Sequence, residues 1–320
     1  MTKCAPKLTC AVVHEGSRRA IVAAFLANLG IAIAKFVGFA LTGAASLLAE
    51  AIHSVADTGN QGLLFLGGRR AARAADREHP FGYGRERYFW SFIVALVLFT
   101  LGGLFALFEG EEKLRNPHEL ESPAIAIGIL AVAFVLEAFS FRTAAREAAK
   151  VRGEDSWWQF IRHSKSPELP VVLLEDTGAL IGLAMALAGV TLALVTGNER
   201  WDAIGSIGIG MLLVVIAITL AIEMKSLLIG ESASPGTDTA IRSAMTSGPE
   251  ITRVIHLRTQ HLGPEELLVA AKAEFAVTTV DELAAAIDTV EARIREAVPI
   301  ARLIYLEPDV YRPDAAPASG

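Results

Sequence analysis

The sequence predicts an α-helical membrane protein, six transmembrane helices followed by a small α+β domain, and three observations carry that prediction. The chain has 320 residues, is 52% hydrophobic and has a mean hydropathy of +0.44, which is more apolar than an ordinary soluble domain. Its apolar residues gather into six runs of about 20, the length that crosses a bilayer at a rise of 1.5 Å per residue. Beyond residue 224 those runs stop, and shorter alternating and amphipathic patterns take over.

Residues 1–17 are a polar amino-terminal tail, and the membrane domain spans 18–224. The first run, Ile21–Leu41, is interrupted by Asn28 and Lys35. Lys35 is expected to snorkel or to pair with a neighbouring carboxylate. Ala44–Gly67 is the second span, and a basic, turn-rich loop with Arg69, Arg70, Arg73, Arg85 and Arg87 follows it. Tyr88–Phe108 is the third span, followed by a mostly acidic loop, Glu109–Glu121. The fourth span, Ala124–Phe141, carries Glu137, and a basic connector over 142–170 leads to the fifth, Val171–Thr196. After the short Gly197–Asp202 loop the sixth span is Ile204–Ile222. Arg and Lys concentrate in the first tail, the second–third loop and the fourth–fifth connector, so the positive-inside rule places both termini in the cytoplasm. No secretory signal opens the chain, and a bacterial inner membrane is the expected home of this multi-pass protein.

From 225 to 312 the pattern reads as a cytoplasmic domain. Thr237–Ser247 is a helix ended by Gly248-Pro249, Ile251–Gln260 and Leu267–Phe275 are strands around a Gly263-Pro264 turn, Val280–Val298 is an amphipathic helix and Ala301–Glu307 a last strand. The order α-β-β-α-β predicts a ferredoxin-like α+β unit. Residues 313–320 are Pro/Ala-rich and expected to be disordered. A formal net charge of −6 argues against nucleic acid. The two cysteines, Cys4 and Cys10, match no disulfide, zinc or redox spacing. No nucleophile elbow or phosphate loop is present, so neither an enzyme nor a cofactor is expected.

The second span holds the chemistry. On a helix, residues three and four apart share a face, so Glu50, His53, Asp57 and Asn60 line one stripe among Ala, Val, Leu and Ile. Ionisable groups at membrane depth are expensive and mark a pathway or a site. An imidazole one turn from a carboxylate can hold a divalent metal such as zinc. The plain alternative, a His–Asp pair in a soluble core, sits poorly with such apolar surroundings.

Three stretches carry a family resemblance: Ser46-Leu47-Leu48-Ala49-Glu50-Ala51-Ile52-His53-Ser54-Val55-Ala56-Asp57, the loop His79-Pro80-Phe81-Gly82-Tyr83-Gly84-Arg85, and Tyr305-Leu306-Glu307-Pro308. Together with six spans and an α+β carboxy-terminal domain they make the chain resemble the cation diffusion facilitators, zinc transporters of the solute carrier 30 type, over nearly all of 18–312. Val171-x-Leu173-Leu174-Glu175-Asp176 with the second-span motif resembles the branch that includes mitochondrial zinc exporters. The resemblance implies export of divalent cations, mostly zinc, from the cytosol in exchange for protons by a homodimer. It also implies a metal site made of His53 and Asp57 with Asp176 from the fifth span. The family's further histidine, four residues before Asp176, is Val172 here. Water or Glu50 could complete the shell. Glu175, about 100° around its helix from Asp176, could pair with Lys35 or carry a proton. A loop site would use Asp76 and His79, with Tyr83 where a second His is common. In the last domain Ile255, Lys272 and Tyr305 stand where ligands are usual, so a dimerisation role without tightly bound zinc is expected, with His256 and His261 at the surface or in loops.

The transport cycle that follows needs His53 neutral and both aspartates ionised to bind metal, so metal and protons compete. Rocking of helices about a midplane site gives alternating access, eased by close helix approach at Gly59, Gly62, Gly178, Gly182 and Gly189. Manganese, iron or cobalt are alternative cargoes, and a non-transporting metal-responsive scaffold is an alternative function.

Overall fold

A computed structural model describes residues 28–117, 122–153 and 156–312. The tail 1–17, the start of the first span and the segment 313–320 lie outside the described residues. The chain divides into two compact units, one built from residues up to Leu66 and Trp90–Glu223, the other from Gly67–Phe89 and Met224 onward.

In the first unit the helices are α1 (described as Asn28–Thr42), α2 (Ala45–Ala71), α3 (Glu86–Arg115), α4 (Pro123–Arg152), the short α5 (Trp157–His163), α6 (Glu168–Thr196) and α7 (Arg200–Ile229). Four of them, α3, α4, α6 and α7, are long and apolar enough to cross a membrane. The protein is thus a helical membrane protein; α1, as described, is a shorter apolar helix, and α1 and α2 lie where the sequence predicts two further spans. α2 has 27 residues, ample length, but its stripe of Glu, His, Asp and Asn dilutes its apolar character. Helices outrun the predicted spans: α4 continues to Arg152, α7 to Ile229, past the expected domain boundary at 224, and α3 absorbs Glu109–Arg115, which the sequence assigned to a loop. Hydropathy marks the stretch fit for hydrocarbon, whereas Glu, Lys, Arg and Ala continue a helix readily in water.

Leu47, Leu98, Leu130, Leu183, Ile209 and Leu213 are fully buried in a core shared by α2, α3, α4, α6 and α7. Of the five glycines named above, those on α6 are the closely approached ones. A Cβ on Gly189 would meet the Trp201 carbonyl at 2.9 Å and one on Gly178 the Ile216 side chain at 2.8 Å, whereas Gly59 and Gly62 face nothing within 4 Å. The expectation for those two is corrected: the stripe of α2 opposite them, not their own face, is packed.

The start of α2 is fixed from outside. Asp202, in the first turn of α7 rather than in a loop, accepts bonds from the Ala45 N–H at 2.7 Å, the Ser46 N–H at 3.3 Å and the Ser46 hydroxyl. A carboxylate there satisfies orphan amides and complements the positive helix end. The Lys113 ammonium of α3 donates to the same carboxylate at 3.0 Å and to the Gly43 carbonyl at 2.6 Å.

The second unit is a three-stranded sheet among the described residues, in the order β1 (Ile251–Gly263), β2 (Glu266–Phe275), β3 (Ala301–Pro308), with β1 antiparallel and β3 parallel to β2. Helices α8 (Pro235–Thr246) and α9 (Val280–Ala297) cover one face. Leu267, Val269, Ala271 and Ala273 alternate inward from β2 onto Ile241, Met245, Val290 and Ile294, the period-two burial expected of a half-covered strand. The parallel β2–β3 pair requires a crossover, and α9 supplies it. A capping box starts α9: Thr279 accepts from the Glu282 N–H at 3.3 Å and Glu282 from the Thr279 N–H at 3.1 Å. The α-β-β-α-β order is as read from the sequence, one strand short of the complete ferredoxin-like βαββαβ arrangement.

In this second unit the loop 72–85 leans on the β1–β2 turn. Gly84 and Gly263 meet backbone to backbone, and a Cβ on Gly84 would lie 2.7 Å from the Leu262 carbonyl. Only glycine tolerates that approach.

Candidate functional site

Helical periodicity aligns Glu50, His53, Asp57 and Asn60 along α2, and neighbouring helices bring further polar groups to them. Lys35 of α1 is fully buried and donates to Glu50 Oε2 at 3.0 Å and to Ser54 Oγ at 2.7 Å. Glu50 Oε1 has no hydrogen-bond partner and lies against the bare backbone of Gly182 on α6, where a Cβ would collide with it. His53, also fully buried, has Nε2 3.4 Å from Asp57 Oδ2. That is near enough for attraction but off the line of a hydrogen bond, so neither ring nitrogen is bonded, and Asp57 Oδ1 is likewise unbonded. Asn60 donates to Glu175 Oε1 of α6 at 2.6 Å. Asp176 accepts from the Ser140 hydroxyl of α4 at 3.4 Å.

The expected pairing of Glu175 with Lys35 is therefore replaced. Lys35 takes Glu50, one turn before His53, and Glu175 takes Asn60, because each helix presents its polar groups at a different depth. Two groups that the sequence placed but did not assign belong to this neighbourhood. Glu137, buried on α4, acts by its charge on His53, Asp57 and Asp176. Ser140 lies one turn further on α4. Asp57 also feels the charges of Lys35, Asp176 and Glu50, and Glu175 those of Asp57 and Asp176. The signal for Glu137 in the sequence was a lone carboxylate in an apolar run.

His53 and Asp57 are thus brought together. Asp176 faces the same polar interior but stands off toward Ser140, and among the described residues no three His, Cys, Asp or Glu side chains converge closely enough to hold a metal ion. Alongside α2, the segment Leu98–Leu104 of α3 widens into a π-helical turn; a Cβ on its Gly102 would lie 3.8 Å from His53 Nδ1. Such turns often occur at functional sites. Chemically, five carboxylates, one imidazole and one ammonium in an apolar setting cannot all be satisfied by each other. Buried charges without partners are costly, so the cluster is poised to take a cation or protons.

The second–third loop is built differently. Asp76 accepts from the Tyr83 hydroxyl at 2.6 Å and from the N–H groups of His79 at 2.8 Å and Glu78 at 3.0 Å. These bonds, the Tyr83 hydroxyl first, hold its carboxyl below the ordinary range and push the Tyr83 phenol up. His79 stacks on the Tyr83 ring at 4.3 Å, with Nδ1 3.7 Å from Asp76, and Arg73 covers the same ring at 4.4 Å. Asp76 and His79 are together, yet the carboxylate is engaged in shaping the loop. In the last domain Lys272 is ion-paired with Glu307 at 2.9 Å and Asp309 at 3.0 Å, which raises its pKa and keeps it an ammonium with no lone pair for a metal. His256 faces Lys272 across the β1–β2 register, and His261 is buried in β1, which corrects its expected place at the surface or in a loop: Leu262 and Gly263 carry β1 past Gln260 and bury it with them.

Comparison with known proteins matches residues 21–229 to the cation efflux transmembrane domain. The human protein named proton-coupled zinc antiporter SLC30A9, mitochondrial, is 31% identical over 270 residues, which cover 83% of this chain and 47% of the human one. Metal tolerance protein C4 of Arabidopsis thaliana is 30% identical, covering 82% of this chain and 58% of its own length. Magnetosome protein MamB of Paramagnetospirillum magneticum is 27% identical over 88% of this chain and 90% of its own. The chain spans about half the length of the human and plant relatives.

Proposed function

Because the chain belongs to the cation efflux family, a family of transporters rather than enzymes, we propose that it exports divalent metal cations, zinc first, from the cytosol in exchange for protons. The observation that carries this reading is a buried imidazole with both nitrogens unbonded beside an aspartate with one oxygen unbonded, set among carboxylates of three helices. His53 and Asp57 hold the ion, and Asp176 swings from Ser140 to join them, with water at the remaining corner. Imidazole plus carboxylate suits zinc, and also manganese, iron or cobalt. Ligation requires neutral His53 and ionised aspartates, so each metal bound displaces protons from the same groups; Glu175, buried and bonded to Asn60, carries protons beside the site. α1 and α2 complete six spans, both termini face the cytoplasm, and the sheet domain joins two copies into a homodimer without holding zinc tightly. A zinc antiporter among the relatives supports the cargo, and the basic loops on one side of the spans support the orientation.

The test is flux in proteoliposomes with a pH-sensitive dye, with zinc, manganese, iron and cobalt in competition. Metal uptake coupled to proton release, lost in His53→Ala and Asp176→Ala, is the expected result. The second reading, a metal-responsive scaffold, draws on the distance Asp176 keeps from the pair; absence of flux in an intact, metal-binding protein would establish it instead.

A further inference from the structure

The proposed site uses His53, Asp57 and Asp176, and leaves a fully buried ion pair unexplained one turn away. Lys35 Nζ holds Glu50 Oε2 at 3.0 Å and Ser54 Oγ at 2.7 Å, and both charged side chains are completely excluded from solvent. Glu50 shares the stripe of His53 and Asp57 and would be a natural fourth ligand. As a carboxylate it is chemically suited to zinc, and no other acid on α2 competes for that role. Yet its Oε2 is spoken for by an ammonium, and its Oε1 fits into the space left by Gly182. The other buried lysine among the described residues, Lys113, bridges a carboxylate to a backbone carbonyl at the start of α2. Lys35, by contrast, holds Glu50 and Ser54, which stand one turn before His53 and next to it on the same helix.

We propose that Lys35 is a positioning residue that withholds Glu50 from the transported cation, so that the site keeps three protein ligands and an open corner. This rests on the transport reading above. A tethered ammonium has a fixed position and no lone pair. It holds Glu50 in an ion pair, and it sets a like charge beside the incoming ion. Both effects weaken binding, as a transport site requires if it is to release what it binds, since closed four-ligand zinc sites are the structural kind. Ser54 supplies the second acceptor that fixes the ammonium on the α2 side.

The test uses full-length protein in detergent, with zinc affinity measured by calorimetry and flux measured in proteoliposomes. Lys35→Met releases Glu50, and zinc then binds more tightly by on the order of 10–100-fold, the range in which residues behind the ligands tune metal sites, while maximal flux and KM both fall. Lys35→Arg keeps the charge and restores wild-type affinity. Lys35→Met leaves a buried carboxylate uncompensated and can fail to fold, so the paired variant Lys35→Met/Glu50→Gln, which removes both charges, decides the matter. Zinc affinity within about threefold of wild type, under 1 kcal/mol, supports the inference. A loss of tenfold or more means that Glu50 is itself a ligand, and a gain of tenfold or more means that Lys35 acts by repulsion alone; either overturns it. His53→Ala in parallel separates this failure from the larger one: if it binds zinc as wild type does, the site itself is misassigned.

Discussion

Two buried polar clusters sit on the same helix, and they are finished to different degrees. At the start of α2, Asp202 meets two backbone amides, a hydroxyl and the Lys113 ammonium, and Lys113 adds the Gly43 carbonyl. Farther along, Glu50, His53 and Asp57 keep four unbonded polar atoms among them. The same chemistry, carboxylates and a lysine in an apolar surround, closes on itself in one place and stays open in the other. A closed network fixes a helix; an open one costs stability and waits for a partner. On the proposed reading, completeness of bonding, more than charge or burial, separates scaffold from site here.

The largest contrast is expected from removing the open cluster's centre. His53→Ala or Asp57→Asn reduces metal-driven flux to the empty-vesicle background while the protein remains folded. Wild-type protein gains about 2.7 kcal/mol of stability when zinc is present at a hundred times its Kd, read as a rise in melting temperature, and both variants lose that gain. A zinc-dependent rise persisting in His53→Ala would place the ion elsewhere.

The closed cluster should respond in the opposite way. Asp202→Ala leaves Lys113 buried without its carboxylate and strips an acceptor from the first turn of α2. Breaking such a pair costs about 3–5 kcal/mol. Thermal unfolding in detergent falls accordingly, whereas the ranking of metals in a competition assay stays as in wild type. If Asp202→Ala instead altered the ranking at unchanged melting temperature, the division into scaffold and site would be wrong.

Legibility in the sequence followed the same division. The stripe of α2 was readable because helical spacing alone aligns Glu50, His53, Asp57 and Asn60. The α-β-β-α-β order was readable because period-two and period-3.6 patterns alternate cleanly between turn residues. Partners across helices were not: that Lys35 takes Glu50 and Asn60 takes Glu175 depends on the relative depth and rotation of α1, α2 and α6, which no local pattern encodes. Lys113 and Asp202 looked like loop charges because helix ends at a membrane boundary are polar whether they point out or in. Glu137 was visible as a lone acid, but its role needed α4 to be placed against α6.

Between the extremes lies Asn60, whose amide serves Glu175 at 2.6 Å while its own Oδ1 has no partner. Asn60→Ala leaves the carboxylate less satisfied at a cost of about 1–3 kcal/mol. If Glu175 carries protons, the pH at which zinc flux is half-maximal moves in this variant, with little change in zinc affinity. An unchanged pH profile would return Glu175 to the scaffold.

The smallest effect is expected in the loop, a third polar cluster and a closed one. The folded state depresses the Asp76 pKa and raises that of Tyr83, each through the bond between them. A depressed carboxyl contributes stability above its unfolded value, about 3.9, and loses it as pH falls through the folded value. A raised phenol contributes below its unfolded value, about 10, and loses it as pH rises through the folded one. Tyr83→Phe removes both contributions. Amide exchange in residues 76–84 should then be faster than in wild type across the middle of the pH range, with the difference closing toward acid and toward alkali. The absence of any difference across the pH range would mean that the ring contacts with His79 and Arg73, which the phenylalanine keeps, hold the loop instead of the Tyr83–Asp76 bond.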